Sequence, residues 1–493
     1  MRKYRASITV FMGMTIMMIM SIFFSLLEVV HYTQVKLNCV TISKMAQESM
    51  FADYCRPMWE EYGLLGIDSG YGGSSVDVAM SCERMNEYLL ENSSIPERAA
   101  GVNHLTCYPL ETVMVEYGLM TDDDGGPFIK QCASSVMHSI PSGLLDSLSD
   151  QAQRTGEGQM DWEDYLTEGQ QGYEDAISPD EDEDYDDEFQ DLDSDDYRGD
   201  PDIENPMETV LEWKDNGVLG QVVDLNSISD RKLKSKEVIS DRKLNKGNNK
   251  TRQKASLTDK YLFHYYLSDR FANYVDHKDR KGLNYELEYV LAGKKTDKEN
   301  LAAAVERLLV YRGAMNLIAF PMDPSHDAKA RALAVSMVGF TGNPAIIKVV
   351  KMGVIAAWVY AESVMDVRTL LAGGRISMIK DPSEWTSTLS SLPSCLSGGH
   401  RAKECQSGLN YSQYLGSMLL LMQSKVAAYR AMDVIEQEVA QHAQYDNFKM
   451  DCCVYQATTQ FSFQAASVFA SFITVTAAPD AYKFTTKESL SYL

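Results

Sequence analysis

Apolar positions are distributed unevenly along the chain, and the longest run is Ala6 to Leu27, 22 residues without a charge. A helix needs about 20 apolar residues to cross a bilayer. The run holds ten Ile, Val, Phe and Leu residues, which together favour insertion by about 3–6 kcal/mol. No Pro or Gly occurs from Met14 to Arg56, so the pattern predicts one helix from Ala6 to Cys55, about 75 Å long. Past the apolar run its periodicity changes. Val35, Cys39, Ile42, Ala46 and Ser49 form a single small stripe at helical spacing, and Pro57 is the first strong break.

Beyond Pro57 the pattern predicts a helix over Val76 to Glu91 and one or two strands over His104 to Met120. It then predicts a turn at Asp122-Asp123-Asp124-Gly125-Gly126 and helical periodicity over Pro127 to Ser149. The second half is denser in helices. Leu257 to Val275 is amphipathic, and Tyr285 to Ala292 is a short helix ending at Gly293. Thr296-Asp297-Lys298-Glu299 is a capping box that opens a helix closed before Pro321. Ser325 to Gly339 is Ala-rich, and Asn343-Pro344 opens a helix to about Leu371. Arg375 to Lys380 reads as a short strand, Asn410 to Gln441 as one long helix, and Cys452 to Phe463 and Tyr482 to Thr486 as strands. Pro344 to Val364 is apolar, but Lys348 and Lys351 lie inside it, so it reads as a buried core helix and not a second span.

Charge sharpens this division. Arg2, Lys3 and Arg5 precede the apolar run and Glu28 follows it, so the positive-inside rule places the N-terminus in the cytoplasm and the bulk of the chain outside. The run is too long for the core of a cleaved signal, and no Ala-x-Ala site follows; it is read as an uncleaved anchor. The net charge is −24, and Glu174 to Glu204 alone carries 17 acids against one base, Arg198. Such a run does not bury enough apolar surface to offset its ordering entropy. Two Ile-Ser-Asp-Arg-Lys-Leu copies, at 228–233 and 239–244, then begin a basic arm. The overall acidity argues against nucleic-acid binding.

The expected fold class is therefore α+β, predominantly α: a long N-terminal transmembrane helix continuing into an extracytoplasmic helical domain with a few short strands. Residues 1–60 are the anchor and projecting helix, 61–155 a first α+β lobe, 156–256 an acidic then basic disordered linker, and 257–493 a second, mainly helical lobe with C-terminal strands.

Local chemistry is sparse. Asp191-x-Asp193-x-Asp195 starts like a calcium loop, but Asp196 and Asp202 stand where the sixth-position Gly and twelfth-position Glu are needed. Gly293-Lys294-Lys295 lacks the preceding Gly of a phosphate loop, and there is no His-Glu-x-x-His or Gly-x-Ser-x-Gly. No catalytic, cofactor-binding or metal-binding residue is assigned, no cofactor is expected, and the chain is read as non-enzymatic. Tyr285, Leu287, Glu288, Arg312 and Tyr360 are assigned to packing, with Glu288 directed at Arg312 or Arg368. Glu286 and Glu288 lie two apart on a helix and so do not form a facing carboxylate pair. Nine cysteines are present. Cys395 and Cys405 flank Ser397-Gly398-Gly399 and are expected to bridge, whereas Cys39 and Cys55 are too far apart along one straight helix to pair with each other; Cys452, Cys453 or a second chain are their candidate partners.

Arg5-Ala6-Ser7-Ile8-Thr9-Val10-Phe11 before a long apolar run resembles the N-terminus of Tad/Flp pilus pseudopilin-like proteins of the TadE/TadG kind. Four further stretches resemble an uncharacterised Gram-positive membrane family associated with those pilus systems. They are Arg56-Pro57-Met58-Trp59-Glu60-Glu61-Tyr62-Gly63-Leu64, Tyr285-Glu286-Leu287-Glu288-Tyr289-Val290-Leu291-Ala292-Gly293-Lys294, Asp297-Lys298-Glu299-Asn300-Leu301 and Trp358-Val359-Tyr360-Ala361-Glu362-Ser363-Val364-Met365-Asp366-Val367-Arg368. The resemblance implies a role without a reaction: a membrane-anchored structural or accessory subunit of a Tad/Flp-type pilus or secretion apparatus. Its partners would be the membrane through Ala6 to Leu27 and other components of that apparatus, with no nucleic acid. The Gly before the processing point and the Glu five residues after it, which classical pilins and the small Tad pseudopilins keep, are replaced here by Ala6 and Phe11, the latter matching the larger Tad-associated subunit; this argues against prepilin-peptidase cleavage there. The alternative is a membrane-tethered extracellular enzyme or sensor whose site is assembled only by folding.

Overall fold

The first helix, α1, spans Arg2–Ala52. At 51 residues and 1.5 Å per residue it is about 76 Å long. From Glu28 onward one face is buried: Glu28, His31, Val35, Cys39, Ile42, Ala46 and Met50 recur at helical spacing. The expected stripe is therefore present, except that Met50 and not the exposed Ser49 completes it. The computed structural model describes residues 2–93, 107–137, 162–177, 205–215, 217–233, 238–397, 399–467 and 481–493. They form an α-rich α+β fold. The labelled elements are α2 (Arg56–Tyr62), β1 (Ile67–Asp68), α3 (Val78–Ser93), β2 (Tyr108–Leu119), α4 (Asp122–Val136), α5 (Trp162–Ile177), α6 (Pro206–Asp215), α7 (Leu257–Arg270), α8 (Glu286–Ala292), α9 (Asp297–Ala319), α10 (Pro324–Val338), α11 (Pro344–Leu371), α12 (Leu392–Ser397), α13 (Tyr411–Leu420), α14 (Ser424–Val439), β3 (Cys453–Ala466) and β4 (Ala481–Ser491).

Two compact units result. The first combines Met1–Ser135, Asp241–Ser256 and Val439–Leu493; the second combines Val136–Ser240 and Leu257–Glu438. The C-terminal strands, grouped by sequence with the second lobe, thus complete the first unit. There β3 is central and antiparallel to all its neighbours. β2 takes one edge, from Tyr108↔Gln464 to Leu119↔Val454, while β1 and β4 divide the other. β3 alternates cleanly: Ala457, Thr459, Phe461, Phe463 and Ala465 are buried, and the residues between them are half-buried. Ala457, Phe461, Phe463 and Ala465 share one core with Val35, Cys39, Ile42 and Ala46 of α1. β4 runs along α1. Tyr482 donates to Glu28 Oε1 (2.8 Å), Ser43 and Thr486 share a hydroxyl hydrogen bond (2.7 Å), and Tyr492 donates to the Phe51 carbonyl.

The basic arm of residues 241–256 is ordered against this sheet. Asn248 exchanges hydrogen bonds with Tyr117 at 2.7 and 3.0 Å, lying along the outer edge of β2. Arg242 pairs with Asp451 at 2.5 Å. The Gly247 and Gln253 amides donate to Asp122 and Asp123. These last two bonds fall on the Asp122–Gly126 turn, where Asp123, Asp124 and Gly125 hold φ of +50°, +61° and +81°, a backbone region costly for non-glycine residues. An arm that fastens to an open strand edge shields it from other chains.

In the second unit α11 is the axis, with α5, α6, α9 and α10 packed against it. Its residues are almost continuously buried from Val350 to Leu371, matching the core-helix reading. α5 crosses it at a backbone-to-backbone contact: a Cβ on Gly169 would lie 2.3 Å from Gly353 Cα. α5 therefore gives packed structure to part of 156–256, while the acidic run from 178 to 204, with Asp191, Asp193 and Asp195, lies outside the described residues. Both predicted helix starts are present. Thr296 and Glu299 cap α9 reciprocally, and Asn343 caps α11 by accepting from the Ala345 amide.

Three local expectations differ from the structure. Arg375 to Lys380 is not a strand but a bend with one bridge, Ile376↔Leu409; the bend lets Ser377 and Met378 turn their carbonyls toward Arg312. The long helix at 410–441 is two, α13 and α14, because the Leu421 and Met422 amides bond three residues back and tighten the last turn. Cys395 and Cys405 do not bridge. Both are free; Cys395 is buried on α12 facing Ser391 Oγ, and Cys405 faces Ser407 Oγ.

Candidate functional site

The most distinctive surface is the first half of α1. Large apolar side chains from Ile8 through Leu26 stand exposed around the helix, Met17 at 76%, with Phe24 half-buried. Apolar surface on this scale is a liability in water and matches the hydrocarbon of a bilayer. Length and composition suit membrane anchoring. The one-sided burial starts at Glu28, whose carboxylate receives Tyr482 and lies 3.7 Å from His31. Tyr32, Tyr482 and Phe484 cluster there with ring centroids 5.1–6.4 Å apart. Aromatic side chains with a polar tip favour the boundary between lipid and water.

The densest set of ionised side chains lies inside the second unit. Arg312, Glu362 and Asp366 are fully buried and Lys380 nearly so. Arg312 donates to Asp366 Oδ2 at 2.9 and 3.1 Å, to Asn316, to the Ser377 and Met378 carbonyls, and to Tyr414 Oη. Lys380 bridges Asp366 Oδ1 (2.5 Å) and Glu362. Glu362 also accepts from the Thr386 and Ser387 amides and the Ser387 hydroxyl, which in turn receives the Trp358 indole. Two cations face two anions, so the set is neutral. Burial pushes the Asp366 carboxyl up, but Lys380 and Arg312 outweigh it and hold the group below its ordinary range. A neutral, internally bonded network has no free group to offer a substrate; its role is to fix α9, α11 and the 375–387 bend.

A second set is built from acids that hold a loop. Glu286 accepts from the Ala272 amide (2.8 Å), Glu288 from the Tyr274 amide and the Tyr411 hydroxyl (2.9 Å each), and Asp297 from the Asn284 and Tyr285 amides and Ser229. The 271–285 loop thus hangs on three carboxylates. Glu288 pairs with neither Arg312 nor Arg368, contrary to expectation, because Asp366 already occupies Arg312 and backbone carbonyls occupy Arg368. Glu286 and Glu288 do not face each other, yet both reach the same loop, two residues apart on each side. Burial pushes the Glu288 carboxyl up to about 7, and its Oε2 has no hydrogen-bond partner. Tyr285 accepts from the Ser229 amide, and Leu287 and Tyr360 are buried core.

One open pocket of about 470 Å³ adjoins this loop, lined by Gln221, Asp224, Tyr274, Arg368 and Arg401 among others. Arg368 donates to the Gln221, Cys395 and Leu396 carbonyls at 2.6–3.1 Å, with no carboxylate among its partners. The pocket therefore has a cationic wall. Sequence reasoning missed it because its residues are separated by up to 180 positions and carry no motif.

A family model described as a family of unknown function, DUF5702, matches residues 197–465, more than half of the chain. No curated protein and no solved structure matches.

Proposed function

The chain belongs to DUF5702, a family of unknown function; from the resemblance of its N-terminus and the character of α1 we propose that it is a membrane-anchored structural or accessory subunit of a Tad/Flp-type pilus or secretion apparatus. In this reading the N-terminus is cytoplasmic and the bulk of the chain lies outside. The observation that carries it is the change of character along α1, exposed on all sides from Ile8 to Leu26 and one-sided from Glu28. A helix of this kind passes from lipid into a folded domain without a hinge, so displacement of one is transmitted to the other. The mutual neutralisation of Arg312, Lys380, Glu362 and Asp366 in the second unit supports a mechanical role for that network.

The test has two parts. Full-length protein should remain in the membrane after alkaline carbonate extraction, and a chain lacking residues 1–27 should not. Deleting the gene should then reduce surface pili or secreted cargo, and the full-length chain alone should restore them. Recovery of full-length protein in the soluble fraction, or unchanged assembly in the deletion strain, would overturn the proposal. A sensor reading is favoured by one feature, the cationic pocket at Arg368 and Arg401. It requires saturable binding of a small carboxylate or phosphate that Arg401→Ala weakens.

A further inference from the structure

All nine cysteines are free thiols in the structure, but two of them are already in contact. Cys39 sits on the buried stripe of α1 and Cys107 immediately precedes β2. Both are 0% exposed, both belong to the core that joins α1 to the sheet, and their thiols hydrogen-bond to each other. The neighbouring α1 residue reaches the same sulfur, with Asn38 Nδ2 4.0 Å from Cys107 Sγ. A disulfide needs sulfurs about 2.03–2.05 Å apart on neighbouring backbones, and α1 at residues 38–39 lies against Cys107 in this core. Among the described residues no other pair of cysteines has a thiol–thiol hydrogen bond.

We propose that Cys39 and Cys107 form a disulfide that clamps the anchor helix to the sheet of the first unit. The proposal rests on the reading that this unit lies outside the cytoplasm, where disulfides persist. The oxidant is a disulfide-bearing thiol donor. The Cys107 thiolate attacks one sulfur of the donor disulfide, forming a mixed disulfide and expelling one donor thiolate. Cys39, as its thiolate, then attacks Cys107 Sγ and expels the second donor thiolate. The two protons lost by the cysteines end on the two donor thiols, so the protein pair is oxidised by two electrons and the donor disulfide is reduced. The order of the two attacks can be reversed without changing the balance, since the contact between the two thiols exists only once α1 has closed on the sheet. Because both sulfurs are buried in the finished fold, the reaction belongs to folding, before α1 closes on the sheet.

The experiment uses the full-length protein extracted from membranes, alkylated in denaturant without reductant, digested and analysed by mass spectrometry. A Cys39–Cys107 cross-linked peptide that dithiothreitol abolishes is expected, with the other seven of the nine cysteines alkylated. In parallel, a membrane-impermeant maleimide is applied to intact cells carrying Lys44→Cys, an exposed position on the same helix. Labelling of Lys44→Cys above wild type together with alkylated Cys39 and Cys107 overturns the disulfide while leaving the topology intact. Absence of labelling overturns the topology, and oxidised glutathione added to the purified protein then decides the pairing: a cross-link retains it, and two persistent thiols refute it. As an independent readout, dithiothreitol should lower the thermal midpoint of the wild type by several degrees and leave that of the Cys39→Ala/Cys107→Ala variant unmoved. An equal shift in both would count against the clamp.

Discussion

Among the described residues two helices are long and apolar enough to cross a membrane, α1 and α11, with mean hydropathies of 2.2 and 1.5 in their richest windows. In the structure their surroundings are opposite. The α1 window has none of its residues buried, whereas 56% of the α11 window is buried, with α5, α9 and α10 around it. What separates them is the placement of charge. α1 keeps its apolar run free of charge and meets its first acid, Glu28, where the sheet begins. α11 carries Glu362, Asp366 and Arg368 within a single buried stretch, each with partners from other elements. Mean hydropathy averages over this difference; the position of a charge relative to groups able to satisfy it does not.

The largest effect that could break the contrast comes from putting charge where α1 has none. Ile16→Lys with Ile19→Lys should oppose insertion by about 6 kcal/mol, comparable to or greater than the gain from the whole apolar run, and should shift the protein out of the carbonate-resistant pellet. Retention there would mean that α1 is covered by protein and not by lipid. The converse change, removing charge from α11, comes next. Asp366→Ala leaves Arg312 and Lys380 buried without a full complement and should cost about 3–5 kcal/mol, read as a lower urea midpoint. Arg312→Met combined with Asp366→Leu should cost less than the two single losses summed.

A single unpaired acid sharpens the point. The Glu288 carboxyl is raised to about 7 from an unfolded value of about 4.3. The folded state therefore holds the proton more tightly than the unfolded state. Its contribution to stability is fully present below about pH 4.3 and is lost as pH rises through about 7. Glu288→Gln should flatten that decline, gaining roughly 3–4 kcal/mol on the wild type at pH 8 and little at pH 4. A parallel pair of pH–stability curves would refute a buried carboxyl whose proton the fold retains. The smallest effect is steric. Gly353→Ala places a methyl group against α5 and should cost about 1–2 kcal/mol, whereas Gly13→Ala, with nothing within 4 Å of the added carbon, should be silent.

How much of this was legible in the sequence follows from the range of each signal. α1, the Thr296–Glu299 capping box and the Asn343-Pro344 start depend on residues within one helical turn of each other, and all were read correctly. Cys452 to Phe463 reads as a strand from its own residues, but nothing in it names β2 as a partner more than 300 residues earlier. The 241–256 arm was read as linker because it binds through side chains such as Asn248 and Arg242, and polar contacts of that kind leave no periodic trace. The loop-holding acids went unrecognised for a related reason: Glu286, Glu288 and Asp297 bond backbone amides, which every sequence has. Glu288 was matched to an arginine because opposite charge is visible in a sequence, whereas an available amide is not.

The position of β3 has a consequence during synthesis. It is the central strand of the first unit, yet it ends at Ala466, 347 residues after β2 ends at Leu119. At ribosomal rates of about 5–20 residues per second, β2 waits roughly 20–70 s for the strand that bonds it. The second unit, which ends at Glu438, emerges before β3. The nascent chain therefore spends most of its production with an incomplete sheet, and factors that shield unpaired strands should determine its yield more than the stability of the finished fold does.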